Sequence, residues 1–224
     1  MSISVVVVAK NEKGFIENCL KCLKNQTLKP EIIVVDGHST DGTFEIAKKY
    51  ADKVVKDHKK GVADARNVGW KIAKGDVIAY CDADCLPPKN WVEKISKYMN
   101  GNLCVFGPQI PYDAGIKRQI TYKVWQNLFV RLCSYVDYPI VCAANAAFKK
   151  SALKRFPFRL KVIEDFDVGN RMKNYGKVKF CKDLYMFSSA RRFGKSFTLV
   201  GFRDYLLNYF RLKLGRKESK DYWK

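Results

Sequence analysis

The sequence predicts an α/β protein with a mainly parallel, mixed sheet and helices on both faces. Three observations predict it. Apolar, β-branched runs alternate with helix-patterned segments through the first half. The strand-like runs are continuously apolar, as expected of strands buried on both sides. No Pro/Gly/Ser-rich linker divides the 224 residues, so a single core is expected.

Ser4–Ala9 reads as the first strand, closed by Lys10-Asn11-Glu12, and a helix follows over about 13–25. After the break at Lys29-Pro30, Glu31–Val35 is the second strand. Ser39/Thr40/Asp41 supply cap chemistry for the next helix. Lys53–Lys56 is a short strand, Gly61–Ala73 a helix and Val77–Tyr80 a strand. Pro88–Met99 reads as a helix and Leu103–Phe106 as a strand. From Ile116 to Val136 an apolar residue recurs every fourth position, a long helix with one greasy face. Ile140–Phe148 is strand-like, Glu164–Tyr175 helical, and short strands follow. Thr198–Leu214 closes as an aromatic, apolar and basic helix, a C-terminal amphipathic extension.

Charge narrows the partners. Lys+Arg number 42 against 22 Asp+Glu, a net +20. Such an excess suits nucleic acid, an anionic membrane surface or phosphorylated substrates. No aromatic-basic RNA motif, zinc spacing or recognition helix is present, which argues against nucleic acid. The apolar run Val5–Ala9 is too short for a membrane span or signal peptide, so a cytoplasmic location is expected. The eight cysteines, including the C-x-x-C pair Cys19 and Cys22, lie inside helix- and strand-like runs and read as buried, reduced thiols.

Acidic residues are scarce, yet they fall where strands finish. Asp36 ends the second strand, Asp82 and Asp84 the fourth, and Glu12 follows the first. Ligands of open parallel sheets bind outside the carboxyl ends of the strands. If extended, Asp82 and Asp84 point the same way and address one ligand. Hard carboxylate oxygens suit Mn²⁺ or Mg²⁺, with substrate phosphates completing the shell.

At this point the chain resembles the family 2 glycosyltransferases, inverting GT-A-fold enzymes that use nucleotide-diphosphate sugars. The resemblance rests on ordered stretches between Ile3 and Arg192: "VVVVAKNE", "IIVVDGHSTDGT", "GVADARNVGWKIAKGD", "YCDAD", "CAANAAFKKSAL" and "VIEDFDVGNRM". It implies a catalytic domain over 1–192, with the basic helix and tail over 193–224. It implies that Asp36 recognises the base, Arg66 lies near base or phosphates, and Glu12 lies near the ribose. Asp82 would meet ribose or metal, and Asp84 would be the main ligand of Mn²⁺ or Mg²⁺. Asp165, at a helix start, would be the base that deprotonates the acceptor, where its plainer reading with Glu164 and Asp167 is a helix-stabilising first turn. Arg191 and Arg192 would grip the diphosphate, or else form a solvated basic loop. Asn145 would line the donor or acceptor pocket, or else hold a turn.

The donor implied is a UDP- or GDP-sugar and the acceptor a glycan or lipid-linked hydroxyl. A polyprenyl-phosphate sugar synthase is the alternative. It departs from the pattern at Leu86, where those enzymes carry a polar metal-contacting residue. A non-catalytic sugar-nucleotide-binding or nucleic-acid-binding protein is the alternative of another class. The C-terminal helix suggests peripheral membrane attachment, with core-covering or dimerisation as its other uses.

Overall fold

The structure, a computed structural model, describes residues 1–125, 128, 133, 139–160 and 164–191. Ten strands are described. They are β1 (Ile3–Ala9), β2 (Glu31–Asp36), β3 (Lys53–Lys56), β4 (Val77–Asp82), β5 (Cys85–Leu86), β6 (Cys104–Phe106), β7 (Gln109–Pro111), β8 (Asn145–Lys149), β9 (Val178–Phe180) and β10 (Met186–Ser188). The helices are α1 (Ile16–Lys24), α2 (Thr43–Lys48), α3 (Val62–Ile72), α4 (Trp91–Tyr98), α5 (Ile116–Trp125), α6 (Lys150–Arg155) and α7 (Glu164–Met172).

Seven strands form one sheet in the order β3-β2-β1-β4-β8-β6-β9. β1 pairs in parallel with both β2 and β4, and β8 runs antiparallel between β4 and β6. A mixed sheet results, as expected. Every residue of β1 is buried. Val5 and Val7 enter the core cluster with Leu20, Val34 and Ile95, while Val6 and Val8 enter the opposite one with Ile33, Tyr80 and Phe148. Alternate side chains of one strand therefore feed two cores, which is why the run carries no polar alternation. Its one polar residue, Ser4, is bonded: its Oγ donates to Glu31 and accepts from Gly75 N.

α3 sits against β1 through Gly69. A Cβ there would lie 2.3 Å from Val6 Cγ1, so only glycine allows this approach despite its lower helix propensity. Gly107 is tighter still, since a Cβ would fall on the Leu184 carbonyl.

A second, three-stranded sheet has the order β5-β10-β7. β5 begins directly after Asp84, and β10 ends three residues before Arg191. Its antiparallel rung joins Cys85 to Ser188, and Ser189 N donates to the Asp84 carbonyl at 3.2 Å.

Several expectations need correction. The strand read over 140–148 is confined to Asn145–Lys149, and 139–144 is irregular. Of the long amphipathic helix read over 116–136, Ile116–Trp125 is described and most of the remainder lies outside the described residues; Ile116, Ile120, Val124 and Leu128 are exposed. His38 is half-buried, with Nε2 3.0 Å from the Asp57 carbonyl. The C-terminal helix and tail over 193–224 lie outside the described residues. All eight cysteines are free, as expected. No described helix is long and apolar enough to cross a membrane.

Candidate active site

The strand register builds the site. Ala9 aligns with Asp36 and Val8 with Asp82, so the ends of β1, β2 and β4 bring Glu12, Asp36, Asp82 and Asp84 to one edge of the sheet. The β1 and β2 loops are stitched together there. Asn11 N donates to Ser39 Oγ, Thr40 N to Asn11 Oδ1, Glu12 N to Thr43 Oγ1 and Lys13 N to Asp41 Oδ2. Asp41 also accepts from Thr43 N, but the residue that precedes α2 is Gly42 in the left-handed region and no side chain caps the helix, so the expected cap from Ser39, Thr40 or Asp41 is corrected: this stretch clasps the neighbouring loop.

Asp36 is fully buried. Its Oδ2 accepts from Ser39 N at 2.9 Å, and its Oδ1 has no hydrogen-bond partner among the described residues. A buried carboxylate oxygen without a donor is costly, and an incoming N–H would satisfy it. Asp57, just beyond β3, is buried as well and has one oxygen in the same condition.

Arg66 projects from α3 into an acidic setting. It forms an ion pair with Glu164 at the start of α7 and lies 3.7 Å from Asp82, with side-chain exposures of 6% and 8% for Arg66 and Glu164. Its guanidinium also stands over the Phe158 ring at 5.7 Å. Glu164 is the residue that sequence reasoning undervalued. It was grouped with the helix-stabilising acids, whereas it is a buried counter-ion that bridges the halves of the chain.

Asp165 faces the irregular segment before β8. Its Oδ2 accepts from Ala143 N at 2.8 Å and its Oδ1 from Phe166 N at 2.9 Å. These bonds fix the carboxylate in place. The neighbouring Cys142 thiol is pushed far up by burial, with Asp165 and then Asp82 adding to the effect. The thiol is therefore neutral at physiological pH and is not a nucleophile.

Asp82 and Asp84 do not share one extended segment. A turn at Ala83-Asp84 follows β4. Asp82 answers Arg66, whereas Asp84 answers Arg191. The expectation that both point the same way from an extended strand is corrected accordingly. Arg191 Nε and Nη2 lie 3.3 and 3.2 Å from Asp84 Oδ2, Nη2 also bonds Glu12, and the guanidinium covers the Phe15 ring at 4.1 Å. Side-chain exposure is 32% for Arg191, 10% for Asp84 and 3% for Glu12.

Asn145 is corrected too. It is fully buried: Oδ1 accepts from Trp91 Nε1, and Nδ2 donates to the carbonyls of Pro108 and Leu184. Every polar group of its side chain is used inside the fold, so it ties α4 and the small sheet to β8 and lines no pocket. Arg192 lies outside the described residues.

The donor set suits a hard divalent ion. Asp84 and Asp82 offer carboxylate oxygens, and a guanidinium already stands on Asp84 as a cation would. No cluster of three or more metal-ligating side chains occurs among the described residues, so phosphate or water oxygens would have to complete a shell.

Comparison with known proteins agrees with this geometry. The glycosyltransferase AglE of Haloferax volcanii is 35% identical over 101 residues, covering 41% of this chain and 33% of that protein. The chain spans about a third of the length of the curated relatives it matches first. Among solved structures, the mannosyltransferase PcManGT of Pyrobaculum calidifontis, in complex with GDP-Man and Mn²⁺, superposes with a TM-score of 0.72 at 21% identity, covering 97% of this chain and 65% of that one. S. aureus TarS (1–349) with UDP-GlcNAc gives 0.71 at 20% identity, covering 99% and 68%. At these identities the two structures establish a shared GT-A fold. The model of glycosyl transferase family 2 matches residues 4–156, so the chain belongs to that family.

Proposed function

We propose that this chain is the catalytic unit of an inverting glycosyltransferase that moves a sugar from a UDP- or GDP-sugar to a hydroxyl of a glycan or lipid-linked acceptor. The observation that carries this reading is the register that sets Asp36, Asp82, Asp84 and Glu12 on one sheet edge, with Asp165 and Arg66 facing them from α7 and α3. The unpartnered Oδ1 of Asp36 suits a base N–H, and Glu12 would bond a ribose hydroxyl. Asp84, with Asp82, would hold Mn²⁺ or Mg²⁺. A divalent ion there supplies positive charge to the departing diphosphate.

Asp165 takes the proton from the acceptor hydroxyl. The acceptor oxygen then attacks the anomeric carbon from the face opposite the diphosphate. The bond between that carbon and the diphosphate oxygen breaks, and its electron pair leaves with the nucleoside diphosphate. Arg66 and Arg191 set positive charge around that leaving group. Asp165 would be superfluous if the acceptor were a phosphate, which favours a hydroxyl over the polyprenyl-phosphate alternative.

The acceptor class draws support from α5. Its exposed stripe Ile116, Ile120 and Val124, with exposed Leu128 beyond it, in a chain of net charge +20, suits an anionic membrane surface bearing a lipid-linked acceptor.

The test is a thermal-shift and transfer experiment with UDP- and GDP-sugars and Mn²⁺, Mg²⁺ or EDTA. One nucleotide class is expected to raise the melting temperature in a metal-dependent way that Asp84→Ala abolishes. Asp165→Asn is expected to keep donor binding while transfer falls about 10²–10⁴-fold. Failure of every sugar nucleotide to shift the folded protein would overturn the reading.

A further inference from the structure

We infer that Arg191 is a built-in counter-cation: it holds Asp84 and Glu12 in the ligand-free protein, and a divalent ion must displace it to bind. The inference rests on the donor-site reading above only for the identity of the nucleotide; the exchange itself rests on the geometry.

Asp84 and Glu12 are nearly buried carboxylates, and burying two such groups side by side requires positive charge. Arg191 supplies it with one guanidinium. Nε and Nη2 both reach Asp84 Oδ2, Nη2 also reaches Glu12, and the flat face rests on Phe15. The carboxylates are fixed. Glu12 follows the fully buried β1 and its amide is bonded to Thr43, while the Asp84 carbonyl is pinned by Ser189 N. The cation is the exposed partner, about a third accessible. Swinging it out takes the guanidinium to water and leaves two nearly buried carboxylates that need a replacement cation.

Exchange follows because both cations need the same oxygen. A metal ion bound to Asp84 Oδ2 would stand against the guanidinium, and two positive charges at that distance repel. The released guanidinium has an anion to go to when a diphosphate arrives with the metal. Metal alone must therefore displace Arg191 without compensation, whereas metal and diphosphate together give it a new partner. The site is thereby built to take the pair in preference to either alone.

The experiment measures Mn²⁺ binding to the whole chain, without nucleotide, by electron paramagnetic resonance titration, and then UDP and GDP binding at saturating Mn²⁺. Circular dichroism and melting curves confirm folding. Arg191→Met is expected to bind Mn²⁺ alone about tenfold more tightly than the native chain, the size of one charge-assisted hydrogen bond, and to bind the nucleoside diphosphate more weakly. Arg191→Lys, which keeps the charge, is expected to stay close to native. Adding Asp84→Asn to Arg191→Met is expected to remove the gained Mn²⁺ affinity. A merely structural role would weaken both ligands together. Unchanged or weaker Mn²⁺ binding in a folded Arg191→Met protein, or none in any variant, would overturn the exchange. Tighter, Asp84-dependent Mn²⁺ binding with no response to any nucleotide would uphold the exchange and overturn the donor assignment instead.

Discussion

Arg66 and Arg191 do the same electrostatic job in two places with opposite freedom. Each answers two carboxylates and each leans on an aromatic ring. Arg66 is buried, projects from the middle of α3 and is paired with an equally buried glutamate. Arg191 follows a three-residue strand and is about a third exposed. A buried pair cannot separate without leaving a charge in low dielectric, so Arg66 is a permanent part of the architecture. Arg191 is itself partly solvated, so its guanidinium can go to water or to an arriving anion when another cation takes over its carboxylates, and Arg191 can trade partners. Identical side-chain chemistry thus gives a fixed brace in one case and an exchangeable ligand in the other, and burial decides which.

The strongest way to break this comparison is Arg66→Met. It is expected to cost about 3–5 kcal/mol in urea unfolding, because Glu164 is left buried and uncompensated. Arg66→Met with Glu164→Gln should recover much of that loss. A loss no larger than that of Arg191→Gln would put Arg66 in the same class as Arg191. Gly69→Ala is next. It lies one turn from Arg66 on α3 and would press on Val6, with an expected loss of about 1–3 kcal/mol from overpacking. Because the helix must shift outward, donor binding should weaken along with stability. Arg191→Gln leaves the nearly buried Asp84 and Glu12 without their cation, so it should cost stability in the absence of metal, less than Arg66→Met does, and saturating Mn²⁺ should restore it.

A pH control away from both arginines gives the smallest effect. The Tyr98 hydroxyl donates to Asp183 at 2.6 Å. That bond holds the Asp183 carboxyl below its ordinary value of 3.8 and, with burial and the Asp183 charge adding to it, pushes the Tyr98 phenol up to about 12. The signs differ. The Asp183 contribution is present above its unfolded value and is lost as pH falls through the depressed one. The Tyr98 contribution is present below its unfolded value of 10 and is lost as pH rises towards about 12. Tyr98→Phe should flatten both limbs of a stability-versus-pH curve and leave the neutral plateau only slightly lower.

These outcomes bear on how far the molecule could be read from its residues. The donor half was legible because β1, β2 and β4 are buried on both faces and therefore appear as unbroken apolar runs. Their ends mark the sheet edge, and Asp36 and Asp82 were found by position alone. The partners were not legible. Nothing local in "VIEDFDVGNRM" says that Glu164 will meet Arg66, because the contact depends on how α7 docks. The turn that interrupts the extended path between Asp82 and Asp84 is hidden for a similar reason, since two- and three-residue strands such as β5, β7 and β10 leave no periodic trace. Asn145 misled because a polar residue in an apolar run signals either a site or an internal tie, and only its three bonded neighbours distinguish the two. The α5 stripe showed its period faithfully, but period alone does not say whether an apolar face is packed.

The small sheet carries a consequence for the order of assembly. β1, β2 and β4 pair across modest lengths of chain, whereas Cys85 must wait for Ser188 before its rung can close. Longer loops close at greater entropic cost and form later. In refolding followed by pulsed hydrogen exchange, the amide of Val7 should therefore gain protection before that of Ser189. Until Ser189 docks on Asp84, Arg191 has no fixed place, and the acidic corner stands without its own cation. The nascent protein thus passes through a stage in which Asp84 and Glu12 are open to any passing divalent ion, and the arrival of its last strand ends that exposure.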